Sequence, residues 1–156
     1  MVLTQHIAKH FRDVHFGGNW TCVNLKDTLT DVNWEEANAK VRDMNTILTL
    51  TYHMYYYVAA VLKVLQGEPL NAKDEYSFKH PAINSQEEWE SLLQQYWADV
   101  ETFAALLEQL PEAQLLENFS DAKYGNYYRN IAGITEHTHY HMGQIVIVKK
   151  ILKANK

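Results

Sequence analysis

The chain has 156 residues, of which 47% are hydrophobic and 21% charged, as in ordinary globular proteins. This length suits one domain with a buried core, and we expect a single domain over residues 1–156. The net charge of −5 at pH 7 and the lack of clustered Lys and Arg disfavour a nucleic-acid-binding surface.

Cysteine content and hydropathy predict the compartment. Cys22 is the only cysteine, which rules out a disulfide within the chain and favours a reducing environment. The apolar run 55–65 is short for a membrane span and contains Lys63, and the first residues lack the apolar segment of a secretory signal. We therefore expect a cytoplasmic protein with no membrane partner. Cys22 has no basic neighbour in sequence to activate it as a ligand or nucleophile, so we interpret it as a small buried residue.

The first half of the chain predicts two long helices. Apolar residues at helical spacing mark the first over residues 2–16, and a glycine pair ends it. Residues 19–30 show no clean period, and a short helical piece starts at the capping sequence 33–36. The second long helix runs from about residue 43 to 66 and is apolar on nearly every side, which is typical of a helix at the centre of a bundle.

The second half predicts two more long helices. Residues 67–84 read as a long connection, after which a capping box at 85–88 starts the third helix, which ends near residue 110. A turn over 111–117 and a polar segment precede the last helix, which reaches about residue 154. Four long amphipathic helices without convincing strands predict an all-α fold, a four-helix bundle with long connections.

The last helix carries two histidines, His137 and His141, one turn apart. Residues four apart share a helix face with their Cβ atoms about 5–6 Å apart, so both imidazoles can reach one metal ion. His139 lies on the opposite side of the helix and is excluded as a ligand. The third ligand must come from another helix, and His53 in the apolar second helix is the candidate.

Three neutral imidazoles with no fourth protein ligand describe an open metal site, as in catalytic zinc sites. Imidazole also suits nickel, copper and iron. A pair of histidines four residues apart often has no ligand, and His6 and His10 show the same spacing without a third partner, so we interpret them as structural or solvated. His15 and His80 fall near helix ends or loops, where we expect surface positions.

The sequence around the three histidines resembles the DinB-like superfamily, named from DNA-damage-inducible proteins of bacteria. The resemblance rests on Leu-Thr-Tyr-His at 50–53, on Val-Leu-Gln-Gly-Glu-Pro at 64–69 and on the His-x-x-x-His-x-Gly-Gln motif at 137–144, and it covers essentially the whole chain. It implies a four-helix bundle that binds a divalent transition metal, with zinc or nickel favoured, through these histidines. Dimers are common in the superfamily, which implies a homodimer.

The resemblance also implies an activity. Better-characterised relatives are transferases and isomerases that use bacillithiol, mycothiol or a similar low-molecular-weight thiol. We therefore expect a thiol-dependent S-transferase or isomerase that acts on small electrophiles. A metal-dependent hydrolase, a non-catalytic stress-response protein that binds a metal or a small ligand, and a structural dimer without metal remain as alternatives. No catalytic residue can be named.

Two residues of the last helix are candidates for the surroundings of the metal. Gln144 projects close to the direction of His137 and can approach the site or orient a ligand, with a hydrogen bond to a helix neighbour as the alternative. Gly133, one turn before His137, would leave space beside the metal, although it can equally serve helix packing. Glu136 points away from His137, and a solvated face is the favoured interpretation.

Three residues outside the last helix are further candidates for the substrate pocket. Tyr57 follows His53 by one turn, so its hydroxyl can face the same cavity, with a filler role in the core as the alternative. Trp20 and Asn24 flank the cysteine, and we place them over the site from their position alone.

Overall fold

The computed structural model describes residues 1–154, and all regular structure in that range is helical. The helices are α1 (Leu3–Phe16), α2 (Leu25–Leu29), α3 (Trp34–Asn38), α4 (Ile47–Leu65), α5 (Asp74–Ser77), α6 (Gln86–Gln109) and α7 (Tyr127–Ala154). Two 3₁₀ turns, Glu112–Leu116 and Ala122–Tyr124, lie between α6 and α7. The predicted all-α fold is confirmed. Within residues 1–154, no helix is long and apolar enough to cross a membrane.

The four long helices pack into one bundle around a shared core. α1 lies along α6, and α4 contacts both α6 and α7. Phe11, Val58, Phe103 and Ile145 are fully buried between them. Each such side chain contributes roughly 1.5–3 kcal/mol through its removal from water. The short helices and turns cover the ends and flanks of this bundle.

α4 begins at Ile47, a few residues later than the sequence predicted. Thr46 is the N-cap, and its hydroxyl accepts a hydrogen bond from the backbone N–H of Thr49 at 3.0 Å. Upstream, Arg42 has a φ of +49°, a left-handed conformation that a right-handed helix cannot include. The sequence predicted an earlier start because the spacing of apolar side chains does not reveal a residue with positive φ.

The connection between α4 and α6 folds back along α4 instead of extending into solvent. The Tyr56 hydroxyl donates to the backbone carbonyl of Lys73 at 3.1 Å and accepts from the N–H of the same residue at 2.9 Å. This anchor places α5 next to the middle of α4. The side chains of Asp74, Ser77 and Phe78 thereby reach His53 or its neighbours.

The expectations for His15 and Cys22 are wrong. His15 is fully buried, and its Nδ1–H donates to the carbonyl of Phe11 at 2.8 Å while Nε2 lies 3.5 Å from the hydroxyl of Tyr96. α6 covers this end of α1, which local sequence does not reveal. Cys22 is exposed because it lies in a tight turn, where its φ is +55° and its N–H donates to Asn19 at 3.1 Å.

Candidate metal centre

Three histidines from two helices converge where α4 meets α7. His53 comes from α4, and His137 and His141 come from α7. One nitrogen of each ring lies within 4.8 Å of the corresponding nitrogens of the other two, and the ring centroids are 4.5 to 4.8 Å apart. His53 and His141 are buried and His137 is half-buried. The structure thus brings together the three residues that the sequence singled out.

Ser77 fixes the orientation and the tautomer of His53. The Ser77 hydroxyl donates its proton to the backbone carbonyl of Asp74 at 2.7 Å. Its oxygen therefore accepts from Nδ1–H of His53 at 2.9 Å, which leaves Nε2 of His53 with a free lone pair. The ring of Phe78 stacks on the imidazole at 4.0 Å between centroids and holds its plane. The lone pair faces the other two histidines.

Gln144 fixes the orientation and the tautomer of His141. Its Oε1 lies 2.8 Å from Nδ1 of His141, and because an amide oxygen only accepts, Nδ1 carries the proton. Nε2 of His141 is then the nitrogen free to bind a metal. Partners of this kind on the far nitrogen of a metal-binding histidine orient the ring and raise its basicity. Gln144 thus lies next to one of the three histidines, and its role in orienting a metal ligand stays a prediction.

Burial favours the neutral form of His53 and His137. Burial, together with the neighbouring His141 and His53, lowers the pKa of His137 to about 4. Burial and then His141 likewise lower the pKa of His53. Imidazole binds metals through the lone pair of its neutral form. These two rings are therefore in the protonation state that metal binding requires.

The distance between two ring nitrogens tests whether a metal ion fits. The Nε2 atoms of His53 and His137 are 3.0 Å apart. Without a cation, His137 must donate a proton from Nε2 to make this contact favourable. Two nitrogens bound at 2.0–2.1 Å to one tetrahedral zinc ion would lie about 3.3 Å apart, so the rings are close to ligand spacing. No other His, Cys, Asp or Glu of residues 1–154 joins the group. The cluster fits a divalent metal with an open coordination position.

Tyr57 stands beside the cluster, where its position one turn after His53 predicted it. Its ring meets those of His53 and His137 edge-on, with centroids 5.2 Å from each. Its hydroxyl donates to the carboxylate of Asp74 at 2.5 Å. Burial and the hydrogen bond to Asp74 raise the pKa of Tyr57 to about 12, so the phenol remains protonated near neutral pH.

A cavity of about 720 Å³ opens beside His53 and His137. This volume is in the range of small-molecule sites. Gly133 lines the cavity, and a Cβ there would meet nothing within 4 Å, so there is open space next to this residue. The apolar part of the wall consists of Ala60, Val61, Leu70, Ala72, Phe119 and Ile134. The polar part consists of Tyr57, Asp74, Tyr124, Arg129, Asn130 and Glu136.

The structure places Trp20 and Asn24 away from the site, which corrects their proposed position over it. Trp20 is 95% exposed, and the side chain of Asn24 caps α2 by accepting from the N–H of Asp27 at 2.9 Å. Neither residue lines the cavity. The reason is that their loop is tied to the end of α1, where the amide of Asn19 donates to the carbonyl of Asp13 at 2.9 Å.

The remaining histidines lie outside the cluster. His139 is on the far side of α7, as the helical spacing predicted, and its ring stacks with that of His10 at 6.5 Å between centroids. His6 and His10 are exposed on α1. His80 is half-buried, which differs from the surface position expected, and its Nε2 lies 3.1 Å from Oγ1 of Thr49.

Several residues that shape the site were not identified from the sequence. Ser77 and Phe78 lie in a connection without periodicity, so no pattern pointed to them. Asn130 did carry a signal, because it lies two helical turns before His137 on nearly the same face. Glu136 is exposed, as expected of a solvated face, but it also lines the cavity.

Comparison with known protein families gives a match over most of the chain. The family model described as the DinB superfamily matches residues 20–145. This range contains the three histidines and Gln144, whereas α1 and the last turns of α7 lie outside it. No curated protein and no solved structure matches the chain.

Proposed function

The chain belongs to the DinB superfamily, and from this membership and the histidine cluster we propose that it binds one divalent metal ion and acts as a thiol-dependent S-transferase or isomerase on small electrophiles. The observation that supports this most is the convergence of three histidines beside a cavity of about 720 Å³. Zinc or nickel suits the ligand set, and a low-molecular-weight thiol is the proposed second cofactor.

His53, His137 and His141 would hold the ion. A divalent ion there supplies a Lewis acid with a vacant position, which lowers the pKa of a thiol or water that occupies it. The protonated phenol of Tyr57 borders His53, His137 and the cavity, and Asp74 fixes the direction of its hydroxyl. Asp74 lines the cavity and can accept the proton that a thiol loses. The apolar wall receives the electrophile and excludes water from it.

Two other functions use the same site. In a metal-dependent hydrolase, water would take the place of the thiol. In a non-catalytic stress-response protein, the metal or a small ligand would bind without turnover. Two features favour catalysis. The cluster supplies three ligands, whereas a purely structural metal site is normally closed by four protein ligands. Tyr57 and Asp74 also place polar groups next to the cluster.

The activity can be tested with metal-loaded protein, a panel of bacterial thiols and chlorodinitrobenzene as the electrophile. We expect a metal-dependent S-arylation rate with at least one thiol, and we expect it to be lost in His53→Ala. His6→Ala is the matched control, because His6 is an exposed histidine on α1 and outside the cluster. A rate no higher than that of His53→Ala with every thiol would contradict the transferase. Hydrolysis without thiol would favour the hydrolase.

The proposal includes a homodimer formed through α7. The described part of α7 leaves a stripe of exposed residues at alternating spacings of three and four, which is the spacing of helix-to-helix seams. The stripe consists of Glu136, Tyr140, Gly143, Ile147 and Lys150. Tyr140 and Ile147 are 65% and 55% exposed, a large fraction for apolar side chains.

Charge and shape along this stripe suit a second copy of the chain. Glu136 and Lys150 are equally far in sequence from Gly143, so a two-fold axis there places each beside its opposite charge in the other copy. A Cβ at Gly143 would meet nothing within 4 Å, and its absence lets another helix approach closely. We place this dimer in the cytoplasm, where the exposed thiol of Cys22 stays reduced.

A further inference from the structure

The cavity beside the histidines has a cationic end opposite the cluster. Arg129 lines it, eight residues before His137 on α7. At a rise of 1.5 Å per residue, the two backbone positions are about 12 Å apart along the helix. The wall between these ends is largely apolar. The arrangement suits an elongated small molecule with different groups at its two ends.

The turn before α7 is built around Arg129. Its Nη1 donates to the carbonyl of Tyr124 at 2.8 Å. Gly125 has a φ of +77°, and a Cβ there would lie 2.9 Å from Cδ of Arg129, so only glycine leaves room for the arginine stem. The amide of Asn130 donates to the same carbonyl of Tyr124 at 3.0 Å and to that of Asn126 at 2.8 Å. These contacts hold the guanidinium at the cavity.

Arg129 has no carboxylate within salt-bridge distance among residues 1–154. Arg12, in contrast, pairs with both Glu101 and Glu108. A guanidinium carries five N–H donors in a planar fork that matches a carboxylate, and Arg129 uses its Nη1 on Tyr124. The N-terminus of α7 lies next to it and adds positive potential. The site therefore has donors and charge available for an anion.

The carboxylates that line the cavity lie at its other end. Asp74 is hydrogen-bonded to Tyr57, which contacts His53 and His137, and Glu136 lines the cavity at the level of His137 along α7. Negative groups near the cluster would repel an anionic end of a ligand, and Arg129 would attract it. The charges of the cavity thus favour one orientation of a bound molecule.

We infer that the cavity binds a small molecule with a carboxylate held by Arg129, an apolar body along the wall and a metal-binding group such as a thiol at the histidines. The thiol end rests on the proposed function, whereas the carboxylate end rests on Arg129 alone. This inference names the chemical class of the ligand, a carboxylate-bearing thiol or electrophile. It also makes Arg129 a residue that determines specificity.

Mercaptooctanoic acid and mercaptooctanol test the two-ended ligand, because they share the thiol and the chain and differ in the carboxylate. Binding to cobalt-substituted protein is followed by the sulfur-to-cobalt absorption band. We expect the acid to bind about tenfold more tightly, the effect of one charge-assisted hydrogen-bonded pair. Arg129→Gln should remove this preference and leave the affinity for the alcohol unchanged. Arg42→Gln is the matched control, since Arg42 is exposed and does not line the cavity.

Equal affinities for acid and alcohol, or a preference that survives in Arg129→Gln, would overturn the inference. Calorimetry with octanoate and octanol on metal-free protein tests Arg129 without the metal. A preference for octanoate that depends on Arg129, in protein that does not bind cobalt, would support the carboxylate site and contradict the metal function. A cobalt–sulfur band without any carboxylate preference would support the metal function and contradict the inference.

Discussion

Nε2 of His53 and Nε2 of His137 lie 3.0 Å apart, although 84 positions separate the two residues in sequence. The Ser77 oxygen accepts a hydrogen bond from Nδ1–H of His53, so the proton of this neutral ring is on Nδ1 and its Nε2 carries none. The pair therefore needs either a proton from His137 or a cation between the rings. Burial disfavours a charged imidazolium on either ring, and the neutral ring is the form that binds a divalent ion.

Replacement of Ser77 by alanine tests the orientation of His53. The ring loses the acceptor that fixes its tautomer, and we expect metal affinity to fall about 10–100-fold, the usual effect of losing such a partner. Competition with a chromophoric chelator measures the affinity. Ser91→Ala, at an exposed position of α6, is the control and should match the wild-type protein. An affinity for Ser77→Ala equal to that of the control would show that Ser77 does not position the ring.

Substitutions at the two glycines inside α7 test helix stability and cavity space separately. Neither Gly133 nor Gly143 has an atom within 4 Å of an added Cβ, so alanine at either should raise the free energy of unfolding by roughly 0.5–1 kcal/mol. Urea unfolding measures this. Gly133→Leu should also fill the cavity and weaken the binding of the thiol probes, whereas Gly143→Leu should not, because only Gly133 lines the cavity. Equal ligand binding by both leucine variants would contradict this account of the cavity.

The convergence of the three histidines followed from local rules, as did the positions of Gln144 and Tyr57 beside them, but the contact with Ser77 did not. A spacing of four on one helix places His137 and His141 together, and the apolar character of the sequence around His53 places that residue inside the bundle. Ser77 depends on a fold-back of the chain that Tyr56 anchors through Lys73. A four-residue helix is too short for its apolar spacing to predict such a contact. Long helices are thus readable from sequence, whereas tertiary contacts of connections are not.

The burial of single residues in loops and at helix ends was likewise not predictable from the sequence. The position of His15 near the end of α1 suggested exposure, yet Tyr96 of α6 lies against it. Which helix covers the end of another depends on the packing of the whole bundle. Trp20 was placed over the site from its position in sequence, and the loop that carries it turns into solvent instead.

His15 should make the protein sensitive to acid. Burial lowers its pKa from 6.5 to about 4 in the folded state. Between these pH values the unfolded chain binds more protons than the folded chain. The contribution of neutral His15 to the free energy of unfolding is therefore complete above pH 6.5 and falls as the pH drops towards 4. For this buried residue the loss is about 3 kcal/mol. Urea unfolding of metal-free protein across this range should show a shallower decline in His15→Leu. The control His6→Leu should keep the wild-type slope, and an unchanged slope in His15→Leu would contradict the prediction.

A charge on the exposed face of α7 should separate the proposed dimer. Ile147→Asp places a carboxylate within the apolar part of the stripe, where a dimer interface would remove it from water. Light scattering after size exclusion should give a dimer for the wild-type protein and a monomer for this variant. Leu116→Asp is the matched control, because Leu116 is 77% exposed and lies in the turn after α6. A monomeric wild-type protein, or a dimer that survives Ile147→Asp, would argue against the α7 interface.

The metal content of the purified protein tests the central claim most directly. Elemental analysis of protein prepared without an affinity tag should find close to one equivalent of a divalent transition metal per chain. His141→Ala removes one of the three converging ligands and should lose most of that metal, while His6→Ala should retain it. Folded wild-type protein with only trace metal, or a metal content that His141→Ala leaves unchanged, would contradict the three-histidine site.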